Sequence, residues 1–141
     1  MVHTEAQRLH KDHNAMDINA LSREIIDCAI QVHKKLGPGL LETVYQRCLI
    51  KELHKKNISC ETEVMMPVYY DDEEIESGFR CDLIVDDQII IELKSVEKTL
   101  PVHKAQTLTY LKLSKYKLAL LINFGEALLK TGVHRFIDGD I

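Results

Sequence analysis

Apolar residues along this chain recur first at helical and then at strand spacing, and the change of period lays out an ordered series of elements. From Ile18, the positions Leu21, Ile25, Cys28, Ala29, Val32 and Leu36 follow helical spacing as far as Gly37-Pro38-Gly39, which predicts a helix with Asn19 as its N-cap. A second helix is expected from Leu40 to about Lys56, with Leu41, Val44, Tyr45, Cys48, Leu49 and Leu53 as its apolar stripe. Ile58 to Tyr70 alternates loosely and reads as a strand, Asp71-Asp72-Glu73-Glu74 as a turn, and Ile75 to Val85 and Ile89 to Leu93 as two further strands. Beyond Ser95–Leu100, Pro101 fits the first turn of a third helix running to about Ser114. Lys117 to Phe124 is a continuous apolar run, expected of a strand covered on both faces, and Val133 to Ile137 is a shorter last strand. The result is an α/β chain in αα-βββ-α-ββ order, a single domain over residues 18–141 behind a polar, His-rich mobile arm at residues 1–17.

The loop between the second and third strands decides which side chains meet. A two-residue loop, Asp86-Asp87, sets Val85 against Gln88 and sends Glu92 to the other side of the sheet from Asp82. A three-residue loop, Asp86-Asp87-Gln88, pairs Val85 with Ile89, Ile84 with Ile90, Asp82 with Glu92 and Arg80 with Lys94. The longer loop is preferred, because Asp tolerates the left-handed backbone of a bulged turn and because Cys81, Leu83 and Val85 then share one apolar face with Ile89, Ile91 and Leu93. Two carboxylates opposed in this way, with Cβ atoms roughly 5 Å apart, cost stability unless a cation compensates. A hard divalent ion with oxygen ligands is the natural one.

Composition narrows the classes. A content of 45% hydrophobic and 28% charged residues is that of an ordinary soluble globular protein. No segment reaches the length of a membrane span and the N-terminus carries no signal-peptide core, so a cytoplasmic protein without membrane attachment is expected. Cys28, Cys48, Cys60 and Cys81 include no C-x-x-C pair and fit reduced core thiols. The histidines show no H-E-x-x-H spacing, which argues against a zinc hydrolase. His33, near a helix C-terminus, reads as a dipole-compensating or partly buried residue.

The net charge of -4 hides an uneven distribution. Eleven acidic residues lie between Glu61 and Glu92 with Arg80 as the one base, whereas Lys94, Lys98, Lys104, Lys112, Lys115 and Lys117 face only Glu97. A positive field beside a metal site attracts a phosphate backbone, and Lys98, His103 and Lys104 are the candidate phosphate contacts. A further acid, Glu42, falls in the first turn of the second helix, in line with Tyr45, Leu49 and Leu53. It either leans to water, favoured by the helix dipole, or points at the same cation as Asp82 and Glu92, with Tyr45 bonding to it or packing beneath it.

Gly39-Leu-Leu-Glu42-Thr-Val-Tyr45 resembles the signature of the GxxExxY proteins, and Asp82 with Glu92-Leu-Lys94 and Gln106-Thr-Leu-Thr-Tyr110 resembles the PD-(D/E)XK nuclease superfamily to which they are assigned. The resemblance implies that superfamily's fold, an antiparallel meander plus a parallel strand in one mixed sheet flanked by helices. It implies Asp82, Glu92, the backbone carbonyl of Leu93 and Glu42 as ligands of Mg²⁺ or Mn²⁺, Lys94 as the catalytic lysine, and Gln106 and Tyr110 as supporting residues. The expected activity is metal-assisted hydrolysis of DNA or RNA, in which Lys94 orients the attacking water or stabilises the phosphate. The other expectation is a catalytically silent nucleic-acid-binding or protein-interaction module on the same fold. A domain this small is also expected to benefit from a symmetric homodimer when covering a duplex.

Overall fold

The computed structural model describes residues 16–140 of the chain. The expected N-terminal arm, except for Met16 and Asp17, lies outside the described residues. Those two belong to the fold: Met16 packs against the main core, and Gln88 donates to its carbonyl at 3.3 Å. Helix α1 (Ile18–Leu36) is capped by Asp17, whose carboxylate accepts the N–H groups of Asn19 at 3.1 Å and Ala20 at 3.2 Å. Asn19, expected as the cap, sits inside the first turn, where its side-chain oxygen accepts from Arg135 and ties α1 to the last strand. The helix stops where Gly37 takes φ 72°, a left-handed backbone that costs glycine little.

Helix α2 (Glu42–Lys55) follows and buries Tyr45, Leu49 and Leu53. Leu41 and Val44, expected in its buried stripe, are 74% and 38% exposed. The helix begins two residues later than the apolar pattern suggested, which leaves Leu41 as an N-cap at the edge of the packing. Strands β1 (Cys60–Tyr70), β2 (Glu73–Val85) and β3 (Ile89–Lys94) form the antiparallel meander. Helix α3 (Pro101–Leu113) then crosses over to β4 (Leu118–Asn123), which pairs parallel with β3, and a 3₁₀ turn (Leu129–Gly132) leads into β5 (Val133–Ile137), antiparallel to β4. The five strands lie in sequence order in one sheet.

The sheet has a core on each face, as its apolar central strands require. Leu83, Val85, Ile89, Ile91 and Leu93 pack with α1 and α2, while Ile84, Ile90 and Ala119 pack with Leu111 and Tyr116 on the α3 side. The three-residue loop between β2 and β3 sets the register, with Val85 opposite Ile89, Ile84 opposite Ile90 and Leu83 opposite Ile91.

Cys81 departs from the expected face. It packs with Phe79, Ile84 and Ile90 on the α3 side, so the alternation of β2 shifts by one between Cys81 and Leu83. On the neighbouring strand the residue facing this step is Glu63, which holds φ 52° between the pairs Thr62–Leu83 and Val64–Cys81, while the register between the two strands shifts only further on, between Met66 and Val68. A non-glycine residue in that region costs about 1–2 kcal/mol, and here the cost coincides with the place where β2 leaves β3. Asp82 stands at that point.

Candidate active site

Beyond the Leu83–Ile91 pair, side chains take over from the backbone ladder. Asp82 Oδ2 accepts the N–H of Leu93 at 2.8 Å, and Glu92 Oε2 accepts the N–H of Asp82 at 2.9 Å. Each carboxylate thus bonds the opposite strand. Neither Asp82–Glu92 nor Arg80–Lys94, both expected as cross-strand pairs, belongs to the ladder, but these bonds bring the two acids together, and both line a cavity of about 460 Å³ with Glu42, Met65, Arg80, Lys94, Gln106 and Tyr110.

Four elements deliver the polar side chains, and β1 adds Met65. Glu42 is the first residue of α2 and stands exposed at the rim. Asp82 comes from the break in β2, Glu92 and Lys94 from alternate positions at the end of β3, and Gln106 and Tyr110 from successive turns of α3. The Tyr110 ring stacks on Phe79 with centroids 4.5 Å apart, which fixes its place beside the acids.

Electrostatics set the acids apart. Glu92 is 3% exposed, and burial followed by the charge of Asp82 pushes its carboxyl up to about 8. The N–H of Asp82 and the Lys94 ammonium pull the other way without cancelling the cost. Burial also raises Asp82 above the usual carboxylate range, opposed by its bond from Leu93, and Glu63 adds to the rise while Lys94 and Arg80 reduce it. Glu42 is held up by loss of solvent and by Asp82, with Lys94 in opposition. Tyr110 is raised by burial and then by Glu92, so its hydroxyl stays a protonated donor.

Among the described residues no three His, Cys, Asp or Glu side chains meet closely enough to form a ready ion cage. Asp82 and Glu92 spend an oxygen each on a backbone N–H, and Glu42 shares their cavity without closing on them. The donor set still suits a hard divalent cation, since it consists of carboxylate oxygens, and burial together with the charge of Asp82 disfavours the Glu92 charge that a cation would offset.

Several sequence candidates lie elsewhere. Tyr45 neither bonds Glu42 nor lines the cavity; it is fully buried and its hydroxyl bonds the Gly37–Leu40 turn instead. Lys98, His103 and Lys104 are outside the cavity lining. His103 Nδ1 accepts the N–H of Leu100 at 3.0 Å and so caps α3, and the Lys104 charge acts on His134 in β5.

Other contributors escaped the sequence reading. Arg80 lines the cavity and pairs with Glu63 at 3.1 Å, while Met65 supplies an apolar wall. Asn123, fully buried at the end of β4, accepts from Val96 N–H and Gly125 N–H, both at 3.0 Å, and donates to Thr99 Oγ1 at 2.9 Å, fixing the segment that follows Lys94. A lone amide closing the apolar run Leu-Ala-Leu-Leu-Ile was the available signal for it.

A family model described as the PD-(D/E)XK nuclease superfamily matches residues 19–136. No curated protein and no solved structure gives a significant match to the chain.

Proposed function

The chain belongs to the PD-(D/E)XK nuclease superfamily, and from that premise we propose that it is a metal-dependent nuclease hydrolysing phosphodiester bonds of DNA or RNA. The observation that carries this reading is the juxtaposition of Asp82 and Glu92, each bonded across to the other's strand, with Lys94 lining the same cavity. Asp82, Glu92 and the carbonyl of Leu93 would hold Mg²⁺ or Mn²⁺, with Glu42 reaching it from the rim. Such an ion supplies charge neutralisation at the phosphate and makes water a stronger acid.

The chain's own groups do the rest. Lys94 presents an ammonium to the reacting phosphate or to the attacking water, and its charge also favours the ionised forms of Asp82 and Glu92. Tyr110 and Gln106 offer a hydroxyl and an amide from α3 on the same side of the cavity. Arg80 is partly neutralised by Glu63, which leaves Lys94 as the cation facing substrate. Within the superfamily, Gly39, Glu42 and Tyr45 support placement among the GxxExxY proteins.

Incubation of the purified protein with single- and double-stranded DNA and RNA in Mn²⁺ tests the proposal. Cleavage by the wild type and none by Glu92→Ala is the expected result. Equal cleavage by both proteins, or none by either, contradicts it.

A further inference from the structure

Glu42 enters the cavity from a helix whose N-cap makes no side-chain hydrogen bond, and the preceding turn contains Gly37 at φ 72° and Gly39 at φ 103°. A helix start hung on two such glycines has freedom to pivot unless other contacts hold it. Three contacts do. The Tyr45 hydroxyl donates to the Gly37 carbonyl and accepts the Leu40 N–H at 3.1 Å, which closes the turn onto α2. The Leu40 carbonyl accepts from Ser95 Oγ, and Ser95 directly follows Lys94. Beneath them the Tyr45 ring lies on Phe124, with centroids 4.5 Å apart and planes 5° from parallel, and the Phe124 N–H donates to the Lys94 carbonyl at 2.8 Å.

These contacts make a closed circuit through Tyr45, Leu40, Ser95, Lys94 and Phe124. Glu42 lies two residues beyond Leu40, and Lys94 is itself a member. Resting on the nuclease reading above, we propose that Tyr45 and Ser95 are positioning residues: they lock the start of α2 to the end of β3 and so set the Glu42 carboxylate against Lys94 and the Asp82–Glu92 pair. Neither residue lines the cavity, so both act through Glu42 and Lys94. Lys94 enters the circuit through its backbone carbonyl, which is neutral, so none of these contacts is an ion pair.

The variants Tyr45→Phe and Ser95→Ala test this. Tyr45→Phe keeps the ring on Phe124 and removes only the hydroxyl; Ser95→Ala removes only the Leu40 contact and serves if the first variant folds poorly. Backbone amide exchange at Leu40 and over residues 43–45 should quicken about tenfold or more in both, while exchange over residues 89–92 stays unchanged. The kcat for Mn²⁺-dependent cleavage should fall about 10- to 100-fold with KM little altered, since a misplacement near 1 Å carries a penalty of that size. In a Glu42→Gln background neither substitution should lower kcat further. Unchanged exchange at these amides, unchanged kcat, or losses fully additive with Glu42→Gln would overturn the positioning role. A wild-type protein that cleaves nothing defeats the nuclease reading alone, and the exchange result then decides whether the lock exists.

Discussion

Asp82 and Glu92 hold each other's strands: the carboxylate of each accepts a backbone N–H from the opposite side of the hairpin, at 2.8 Å to Leu93 and 2.9 Å to Asp82. The backbone ladder between β2 and β3 ends one residue earlier, at Leu83–Ile91. Acids so placed keep the strand ends together without a metal, yet they remain close enough for burial and the charge of Asp82 to oppose the ionisation of Glu92.

Stability should therefore depend on pH through Glu92. Its carboxyl is pushed up to about 8 in the fold from an ordinary value of 4.5, so the folded state binds this proton more tightly than the unfolded state. The contribution is fully present below about pH 4.5 and is lost as pH rises through about 8. Glu92→Gln, which keeps an oxygen for the Asp82 N–H, removes that loss. Without divalent ions the variant should exceed the wild type in stability at pH 8.5 by on the order of 3 kcal/mol, with little difference at pH 5. Thermal melts from pH 5 to 9 measure it, and parallel curves would exclude a buried, proton-holding Glu92.

Lys94 is expected to serve chemistry rather than ion binding. Lys94→Met should leave Mn²⁺ affinity equal to or slightly above that of the wild type, because a positive neighbour is removed, while cleavage falls by about 10²-fold or more. Single-turnover cleavage beside a calorimetric titration separates the two effects. Loss of Mn²⁺ binding together with activity would assign Lys94 a structural role.

Asn123 makes four side-chain hydrogen bonds from a fully buried position, to Val96, Thr99, Gly125 and Glu126. Asn123→Ala leaves the Val96 and Gly125 N–H groups unpaired and should cost about 2–4 kcal/mol, measured by denaturant melting. A cost below about 0.5 kcal/mol would mean that the segment after Lys94 is held by other contacts.

Gly125 packs so closely on the neighbouring segment that an added Cβ would lie 2.2 Å from the Val96 carbonyl oxygen. Because the obstacle is backbone, Gly125→Ala should destabilise by about 2 kcal/mol or more. A melting temperature equal to that of the wild type would show that this loop shifts freely.

Much of this architecture was legible in the chain. The switch from helical to strand period marks the elements, and the three residues between Val85 and Ile89 set the register of the pairs up to Leu83–Ile91, beyond which side-chain bonds bring Asp82 and Glu92 together. What local pattern misses is what tertiary contact decides. Cys81 follows the alternation of Leu83 and Val85 in sequence, but the left-handed backbone at Glu63 on the paired strand accompanies a change of face there. Tyr45 sits one turn from Glu42, where bonding to it or packing beneath it was one of the readings open, whereas its ring is drawn onto Phe124, far along the chain, and its hydroxyl meets the glycine turn. Asp17 and Asn19 are both good caps by type, and only the backbone path into α1 chooses Asp17. His103 shows the same limit, since its capping bond to Leu100 depends on the turn before α3.

The central claim is that Asp82 and Glu92 bind a divalent ion as a pair, and isothermal titration of Mn²⁺ into the protein at pH 7.5 tests it most directly. One saturable site is predicted in the wild type, weakened at least about tenfold in both Asp82→Asn and Glu92→Gln, with proton release on binding because Glu92 must ionise. No saturable binding up to millimolar Mn²⁺, or equal binding by all three proteins, would contradict it.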